Sequence, residues 1–423
     1  MFQTIAQAFK DKDLRKKILV IAGLLVVSRF FAALPIPGTD PATLKSFFAQ
    51  NQYLGLVNIF SGGALANFSV AMLGIGPYIT ASIILQLLTM IFPAMKAMYY
   101  EEGEIGRAKF VRYTRLLTVF LAFFQGFAFL NLLKRQGVIG VLEPFDLLRN
   151  IILVVAGSII FMWLGELISE QKIGSGSSLI IFAGIISDLP QTLRNNILTF
   201  DYAKIPSYLI FIVLALVTIV GVIYINQSER RVPINYAKRV RGMKVFGGQN
   251  TYLPLKVNQA GVIPIIFAIS ILLFPGLIAQ FLALSNNVFL VNAGVAIQGF
   301  FNNQLAYGIS YFVFVFAFTY FYTLVTFDPS EISKNLQQQG GFVPGIRPGQ
   351  NTAEFLSKIL FRITFLGAVF LGLIAVLPLG VQAITGISSL TLGGTSLLIV
   401  VSVALDTVRQ LRAQMLMRDY EAF

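Results

Sequence analysis

Long apolar segments alternate with shorter polar segments along the whole chain of 423 residues. A transmembrane helix needs about 20 apolar residues, or about 17 at the short end, to cross a bilayer. The pattern therefore predicts an all-α polytopic membrane protein with ten transmembrane helices. The ten segments are Ile18–Leu34, Val70–Phe92, Leu116–Leu133, Ile151–Ile168, Ser177–Leu189, Tyr208–Ile225, Gly261–Leu284, Gly308–Val325, Ile363–Leu379 and Gly393–Leu405.

The composition agrees with a chain that lipid surrounds. Hydrophobic residues make up 56% of the chain and charged residues only 12%, whereas a soluble domain carries about 25% charged residues. The chain has no cysteine and no histidine, which excludes thiol nucleophiles, imidazole bases and zinc sites built on these residues. We therefore predict a protein that is not an enzyme and that holds no metal and no cofactor.

The basic residues predict which side of the membrane each connection faces. Loops rich in Lys and Arg stay on the cytoplasmic side, and the net charge of the chain is +13. If both termini are cytoplasmic, 25 of the 32 basic residues fall on cytoplasmic segments, six fall on outer segments, and Arg29 lies within the first span. This asymmetry predicts an even number of spans, with both termini in the cytoplasm.

The ten spans divide into two sets of five. Residues 1–187 carry spans one to five, 188–207 form an external hinge with Pro190 and Pro206, and 208–423 carry spans six to ten. Because each half holds an odd number of spans, the second half must be inverted relative to the first. Inverted repeats generally place the working site at their interface.

The segment 58–68, just before the second span, breaks the pattern. It is apolar but rich in glycine, and it is too short to cross a bilayer. Non-helical backbone at membrane depth persists only where protein buries it or where it lines a cavity. The pattern thus favours a segment that re-enters the centre of the protein from outside, and the alternative is a turn on the outer surface.

Two cytoplasmic loops are longer than plain connections require. Loop 227–257 carries seven positive charges and alternates apolar with polar residues, which is typical of a hairpin that docks an acidic partner. The alternative is that its charges only anchor the topology. Loop 327–358, with one Gly/Pro turn on each side of Arg347, predicts a rigid tip and a contact site.

Ionisable residues within spans are further candidates, because such residues usually mark a functional site. Arg29 lies in span one, Glu166 in span four, and Asp406 ends span ten. Glu166 and Asp406 lie near cytoplasmic ends, so a structural ion pair is the alternative for Glu166.

Three other classes of function are alternatives to be weighed. A transporter or lipid flippase would need a binding site near the middle of the membrane, and an intramembrane enzyme would need paired acidic residues. A scaffold protein would need no broken apolar segment.

Nine stretches in order along nearly the whole chain resemble the bacterial SecY family, and their combination is highly specific. They are Leu34–Gly38, Phe60–Ala64, Gly74–Ile84, Met162–Glu166, Ile180–Ile185, Arg230–Ala237, Gly261–Pro264, Gly341–Gly349 and Gly393–Val401.

The resemblance implies the central channel-forming subunit of the Sec protein translocase in the inner (cytoplasmic) membrane. Such a subunit passes unfolded secretory polypeptides across the membrane and releases membrane-protein segments laterally into the lipid. The implied fold is two inverted five-helix halves around a central pore, with a lateral gate between spans two and three and spans seven and eight. The implied partners are SecE, SecG, the SecA motor, ribosomes, signal peptides and nascent polypeptides, to which the basic loops add anionic lipids.

The resemblance also implies the functional residues. The plug of the family falls on Phe60, Ser61, Gly62, Gly63, Ala64, Leu65 and Asn67. Its docking loops for motor and ribosome fall on Arg230, Arg231, Lys238, Arg239 and Arg347.

The constriction of the family is a ring of apolar side chains, which falls here on Ile75, Ile79, Ile181, Ile266 and Ile399. Branched apolar side chains exclude water and ions from a narrow neck. One further position falls on Ser177, so either the ring has five members or the alignment shifts by one turn at the start of span five. For each isoleucine the alternative is ordinary packing between helices.

Overall fold

The computed structural model describes most of the chain. The described residues are 11–36, 58, 61, 63–65, 67–135, 137, 139, 143–198, 202, 205–236, 239–241, 244–246, 250–283, 287–385 and 388–421.

Each of the ten predicted spans falls on a helix. The helices are α1 (Lys12–Ala33), α2 (Gly76–Ile91), α3 (Pro93–Tyr100), α4 (Gly103–Arg135), α5 (Pro144–Glu170), α6 (Gly176–Leu198), α7 (Ile205–Gln227), α8 (Ile263–Ala283), α9 (Val288–Asn302), α10 (Gln304–Thr326), α11 (Pro329–Gln338), α12 (Gln350–Thr385) and α13 (Ser388–Glu421).

Prolines and capping side chains determine several helix boundaries. The carboxylate of Asp11 accepts hydrogen bonds from the backbone N–H groups of Asp13 and Leu14, which caps the start of α1. The helices α2, α3 and α5 each begin with proline in the first turn, where the missing N–H costs no hydrogen bond.

The second span begins later than predicted. Residues 70–75 form turns, and α2 starts only at Gly76, after Gly74 with a φ of +53°. Beyond Phe92 the chain bends by 115° into the short helix α3, because Pro93 cannot continue the hydrogen bonding of α2. The predicted span Val70–Phe92 was therefore too long at its N-terminal end.

The apolar helices differ in length. Within the described residues, five helices are long and apolar enough to cross a membrane, and the bent pair of α2 and α3 is a sixth candidate. Three shorter apolar helices lie at Gly176–Pro190, Ile263–Gly276 and Val288–Phe301. The chain thus forms a polytopic helical membrane protein, and the count of ten spans remains a prediction.

The strands lie in two small antiparallel sheets. Strand β1 (Glu229–Tyr236) pairs on one side with β4 (Asn250–Lys256) and on the other with β5 (Gly341–Phe342). Strands β2 (Arg239–Arg241) and β3 (Lys244–Phe246) form a second hairpin within the same loop. The predicted hairpin in loop 227–257 is confirmed, since its alternation buries Val232 and Ile234.

The chain separates into two compact units. The first comprises Met1–Phe211, Ile269–Tyr307 and Pro378–Phe423, and the second comprises Ile212–Ala268 and Gly308–Leu377. These units do not coincide with the predicted halves 1–187 and 208–423. The external segment 188–207 begins inside α6, which continues to Leu198 with Pro190 within it, and its role as a hinge stays a prediction.

The start of α6 packs closely against α5 at two glycines. A Cβ atom added at Gly176 would overlap the carbonyl oxygen of Gly165. The Ser169 hydroxyl joins the same backbones, because it donates to Gly165 O at 2.9 Å and accepts from Gly176 N at 2.9 Å. Small residues allow such close approach of helices in a membrane.

We expect Gly176→Ala to destabilise the first unit by about 1–3 kcal/mol or more, because the obstructing atom belongs to backbone that cannot move aside. The matched control is Gly23→Ala in α1, where no atom lies within 4 Å of the added Cβ. Thermal unfolding of both variants in detergent measures the effect. Equal transition temperatures for the two variants would contradict the close contact between α5 and the start of α6.

Candidate functional site

Residues 58–68 are predicted to be the plug, and we call them the plug segment. Where the structure describes this segment, hydrogen bonds within it and to Ser69 hold its backbone. The Ser61 hydroxyl donates to Asn58 O at 2.9 Å and accepts from Leu65 N at 3.0 Å. The Ser69 hydroxyl donates to Ala64 O at 3.1 Å. Ser61, Gly63, Ala64 and Leu65 are buried and Asn67 is exposed, whereas Phe60 and Gly62 lie outside the described residues.

The end of the plug segment packs into the first unit. Ile36 N donates to Phe68 O at 2.8 Å, and Val70 N donates to Leu34 O at 2.9 Å, so the chain after α1 pairs with the chain before α2. Leu65 and Phe68 belong to one apolar cluster with side chains of α4 and α5. This burial is expected of a segment that protein encloses, and it is not expected of a turn on the outer surface.

Gly63 of the plug segment lies in close contact with α6. Its φ is +79°, and a Cβ atom added there would lie 2.6 Å from Oδ1 and 2.8 Å from Oδ2 of Asp188. The carboxylate of Asp188 in α6 therefore lies directly against the Gly63 backbone. Only glycine allows both this approach and this φ without strain.

Four of the predicted ring residues lie in the first unit, and all four are buried. Ile75 and Ile79 lie at the start of α2, Ile181 lies in α6, and Ile399 lies in α13. Helices α6 and α13 contact each other. A Cβ atom added at Gly165 would lie 2.9 Å from Cδ1 of Ile75, so Ile75 also packs against α5.

The other two residues weighed for the ring have different surroundings. Ile266 is buried in α8 within the second unit. Ser177 is half-buried at the start of α6, where its hydroxyl lies 3.0 Å from that of Ser175. The ring stays a prediction, because burial alone is compatible with a closed pore and with helix packing.

The described docking candidates Arg230, Arg231, Arg239 and Arg347 all lie in the second unit. We call the three-stranded sheet of β4, β1 and β5 the docking sheet. Its buried face carries Val232 and Leu255, which pack with Val343 and Leu356 from the segment around β5 and from α12.

The charged side chains of the docking sheet are exposed, although Arg230 lies opposite the buried Leu255. Arg230 and Arg231 are exposed, and Arg231 Nε lies 2.8 Å from Glu229 Oε1 in an ion pair. Arg239 belongs to β2, where it pairs with Phe246. Lys238 lies outside the described residues.

The loop around Arg347 forms the turns that the sequence predicts, and hydrogen bonds hold its backbone. Gly345 and Gly349 have φ values of +81° and +101°, which glycine adopts readily. The Thr352 hydroxyl donates to Arg347 O at 2.9 Å, and the Ser333 hydroxyl donates to Gly349 O at 2.6 Å. These bonds hold the backbone while the Arg347 side chain remains exposed.

The other polar candidates within spans have structural partners. Glu166 forms a two-point ion pair with Arg115 of α4, with Nη2–Oε2 at 2.8 Å and Nε–Oε1 at 3.1 Å. The structural alternative for Glu166 is thereby supported. Oδ1 of Asp406 lies 3.9 Å from Nη1 of Arg409, one turn further along α13.

Sequence reasoning missed two sets of contacts. The prediction assigned Asp188 to the outer connection, so its contacts with other helices were missed. The signal that could have indicated them is a carboxylate at the end of one apolar span together with Arg29 within another. Gln410 and Gln414, one turn apart on α13, bond the backbone of Gly174 and Lys172 in the loop before α6. No sequence motif distinguishes these glutamines.

Comparison with known proteins gives three consistent results. A family model described as SecY matches residues 69–408. A relative from Corynebacterium glutamicum, called protein translocase subunit SecY, is 44% identical over 99% of this chain and 98% of its own length.

Two solved structures share the fold. A structure described as that of a protein conducting channel has a TM-score of 0.65 and 20% sequence identity, over 94% of this chain and 92% of its own. Sec61 in a canine ribosome-channel complex from the endoplasmic reticulum has a TM-score of 0.60 and 19% identity, over the same shares of the two chains. The identity and coverage of the bacterial relative, with the family match over most of the chain, show that this chain belongs to the SecY family.

Proposed function

We propose that the chain is the channel-forming subunit of a protein translocase, which passes unfolded secretory polypeptides across the cytoplasmic membrane and releases membrane-protein segments laterally into lipid. The observation that carries this proposal is the enclosed plug segment. A transporter, an enzyme or a scaffold has no need of a broken apolar segment buried before a span, whereas a channel for chains needs a removable closure. The SecY relative and the similar protein-conducting channel support the same function.

The pore ring belongs to this proposal. A channel for unfolded chains of any sequence cannot use a selective polar filter. Branched apolar side chains at Ile75, Ile79, Ile181, Ile266 and Ile399 would exclude water from a narrow neck and form no lasting hydrogen bonds with the moving polypeptide.

The partners follow from the charge of the cytoplasmic surface. Exposed arginines on the docking sheet and at the Arg347 tip suit an acidic surface of a motor or a ribosome. The canine relative of this fold is seen in a ribosome complex, which supports the ribosome as one partner. SecE, SecG and SecA are the further partners that we propose, with both termini of the chain in the cytoplasm.

Reconstitution tests the function directly. The chain is purified with SecE and SecG, placed in vesicles of anionic lipid, and supplied with SecA, ATP and an unfolded secretory polypeptide. We expect ATP-dependent protection of that polypeptide from external protease. Folded complex that binds SecA yet protects no polypeptide would overturn the proposal.

Deletion of Ser61–Asn67 is expected to give a folded but leaky channel, because the segment closes the pore and, of its described residues, the deletion removes only Leu65 from the apolar cluster with α4 and α5. The control is Asn67→Ala, since Asn67 is exposed and its truncation leaves the buried contacts intact. Ion conductance across planar bilayers is the measurement. A deletion variant that conducts no more than Asn67→Ala would favour the outer-turn interpretation.

A further inference from the structure

The plug segment touches a charged group that the proposed mechanism does not use. Gly63 packs directly against the carboxylate of Asp188, as the 2.6 Å approach of an added Cβ atom to Oδ1 shows. Asp188 is half-buried in α6. Half-burying a carboxylate in an apolar helix costs free energy, and helix packing does not require a charged group there. Its position against the plug segment therefore indicates a function.

Arg29 of α1 provides the opposite charge. Helices α1 and α6 contact each other, and the Asp188 carboxylate is an opposite charge near enough to attract the Arg29 guanidinium. Nη1 of Arg29 also donates to the hydroxyl of Ser187, the residue before Asp188, at 3.5 Å. The plug segment and α1 therefore both approach α6 at residues 187 and 188. All three elements belong to the first unit.

The strength of this charge pair depends on whether the plug segment is in place. Two opposite charges attract more strongly where water is excluded than where water surrounds them. With Gly63 in contact, backbone covers one side of the Asp188 carboxylate, and its removal would let water reach that side. The attraction is therefore stronger in the closed state, and it stabilises that state by the amount by which it exceeds the cost of removing water from the carboxylate.

We infer that Asp188 and Arg29 form a charged latch that holds the plug segment closed at Gly63. They are positioning residues, since neither needs to touch the translocating polypeptide. This inference rests on the proposed function only in taking segment 58–68 as the plug. The latch gives the closed state a specific stabilisation beyond apolar burial of Leu65 and Phe68.

The absence of cysteine in the chain makes a direct test possible. Ala64 is fully buried in the plug segment, so Ala64→Cys reports the exposure of that segment and no other thiol interferes. The rate of labelling by a membrane-impermeant maleimide is measured in vesicles, with no translocation substrate. Binding to SecE and a normal unfolding temperature show that each variant is folded.

We expect Asp188→Asn and Arg29→Gln each to raise the labelling rate about tenfold, which corresponds to about 1.4 kcal/mol. The double variant should label no faster than either single variant, because each substitution breaks the same interaction. Arg29→Lys, which keeps the charge, should retain most of the protection. The matched control is Asp146→Asn, which breaks an exposed ion pair with Arg149 at 3.1 Å elsewhere in the first unit, and it should leave the rate unchanged.

Gly63→Ala provides an independent arm, since it places a methyl group against the carboxylate. Gly63→Ala should also raise the labelling rate. Because it breaks the same contact, adding Asp188→Ala to Gly63→Ala should raise the labelling rate less than Asp188→Ala does in the parent. Labelling rates within twofold of the parent for both Asp188→Asn and Arg29→Gln would overturn the latch. A parent that translocates nothing, while labelling still responds to both variants, would overturn the proposed function and leave the latch contact standing.

Discussion

Replacing Ile79, Ile181 and Ile399 together with Ser is expected to raise the resting ion conductance at least tenfold over the parent. Each hydroxyl adds a group that binds water, and a neck that excludes water only through apolar side chains then fills with water. A barrier lowered by about 1.4 kcal/mol suffices for a tenfold increase. Single-channel recording in planar bilayers, without partner or substrate, is the measurement.

The matched control for this exchange is Ile151→Ser in α5. Ile151 is as buried as the ring residues, but it packs in the apolar cluster with Leu130 and Val154. Its truncation should cost about 2–5 kcal/mol of stability and should raise no conductance in the protein that remains folded. Ile75 is left unchanged in the test, because its contact with Gly165 would mix the two effects.

The opposite result would have a clear meaning. Severe loss of folded triple variant, with no conductance before unfolding, would show that these isoleucines pack between helices. The ring assignment would then be wrong, although the membership of the chain in the SecY family would be unaffected.

Arg347→Glu is expected to lower motor-driven export at least tenfold while leaving insertion and topology intact. The charge is reversed at an exposed tip whose backbone is held by Thr352 and Ser333, so the fold has no reason to change. A like charge placed against an acidic partner surface costs several kcal/mol when that surface is approached closely. Export of a secretory protein from living cells, normalised to the amount of the chain, is the measurement.

Lys334→Glu is the control for this charge reversal. Lys334 is exposed on α11 in the same loop as Arg347, and its substitution changes the net charge by the same amount. Normal export by Lys334→Glu with a defect in Arg347→Glu would place the contact at the tip. Normal export by Arg347→Glu would remove Arg347 from the docking residues.

Local chemistry along the chain determined most of the helices and the hairpin in loop 227–257. Every predicted span falls on a helix, because apolar segments in lipid must satisfy their backbone hydrogen bonds internally. The rigid turns beside Arg347 were equally predictable, since Gly345 and Gly349 adopt backbone angles that favour glycine. The alternation in β1 indicated a hairpin because the strand buries one face.

Boundaries within the second span were less predictable. Hydropathy predicts residues 70–75 to be part of a span. In the structure they form turns, and the backbone of these turns contacts parts of the chain that are distant in sequence. Val70 bonds Leu34, and a Cβ atom added at Gly157 of α5 would overlap Val70 O. These partners are distant in sequence, so no local pattern shows that helix formation is displaced toward Gly76.

The sequence by itself therefore determined the membrane class, the helix positions and the family. Only the tertiary structure decided that β5 joins the hairpin in one docking sheet, that Glu166 pairs with Arg115, and that Asp188 lies against Gly63. The physical reason is that hydropathy and turn chemistry act over a few neighbouring residues. Ion pairs, strand pairing and close backbone contacts instead depend on which distant residues the packed helices bring together.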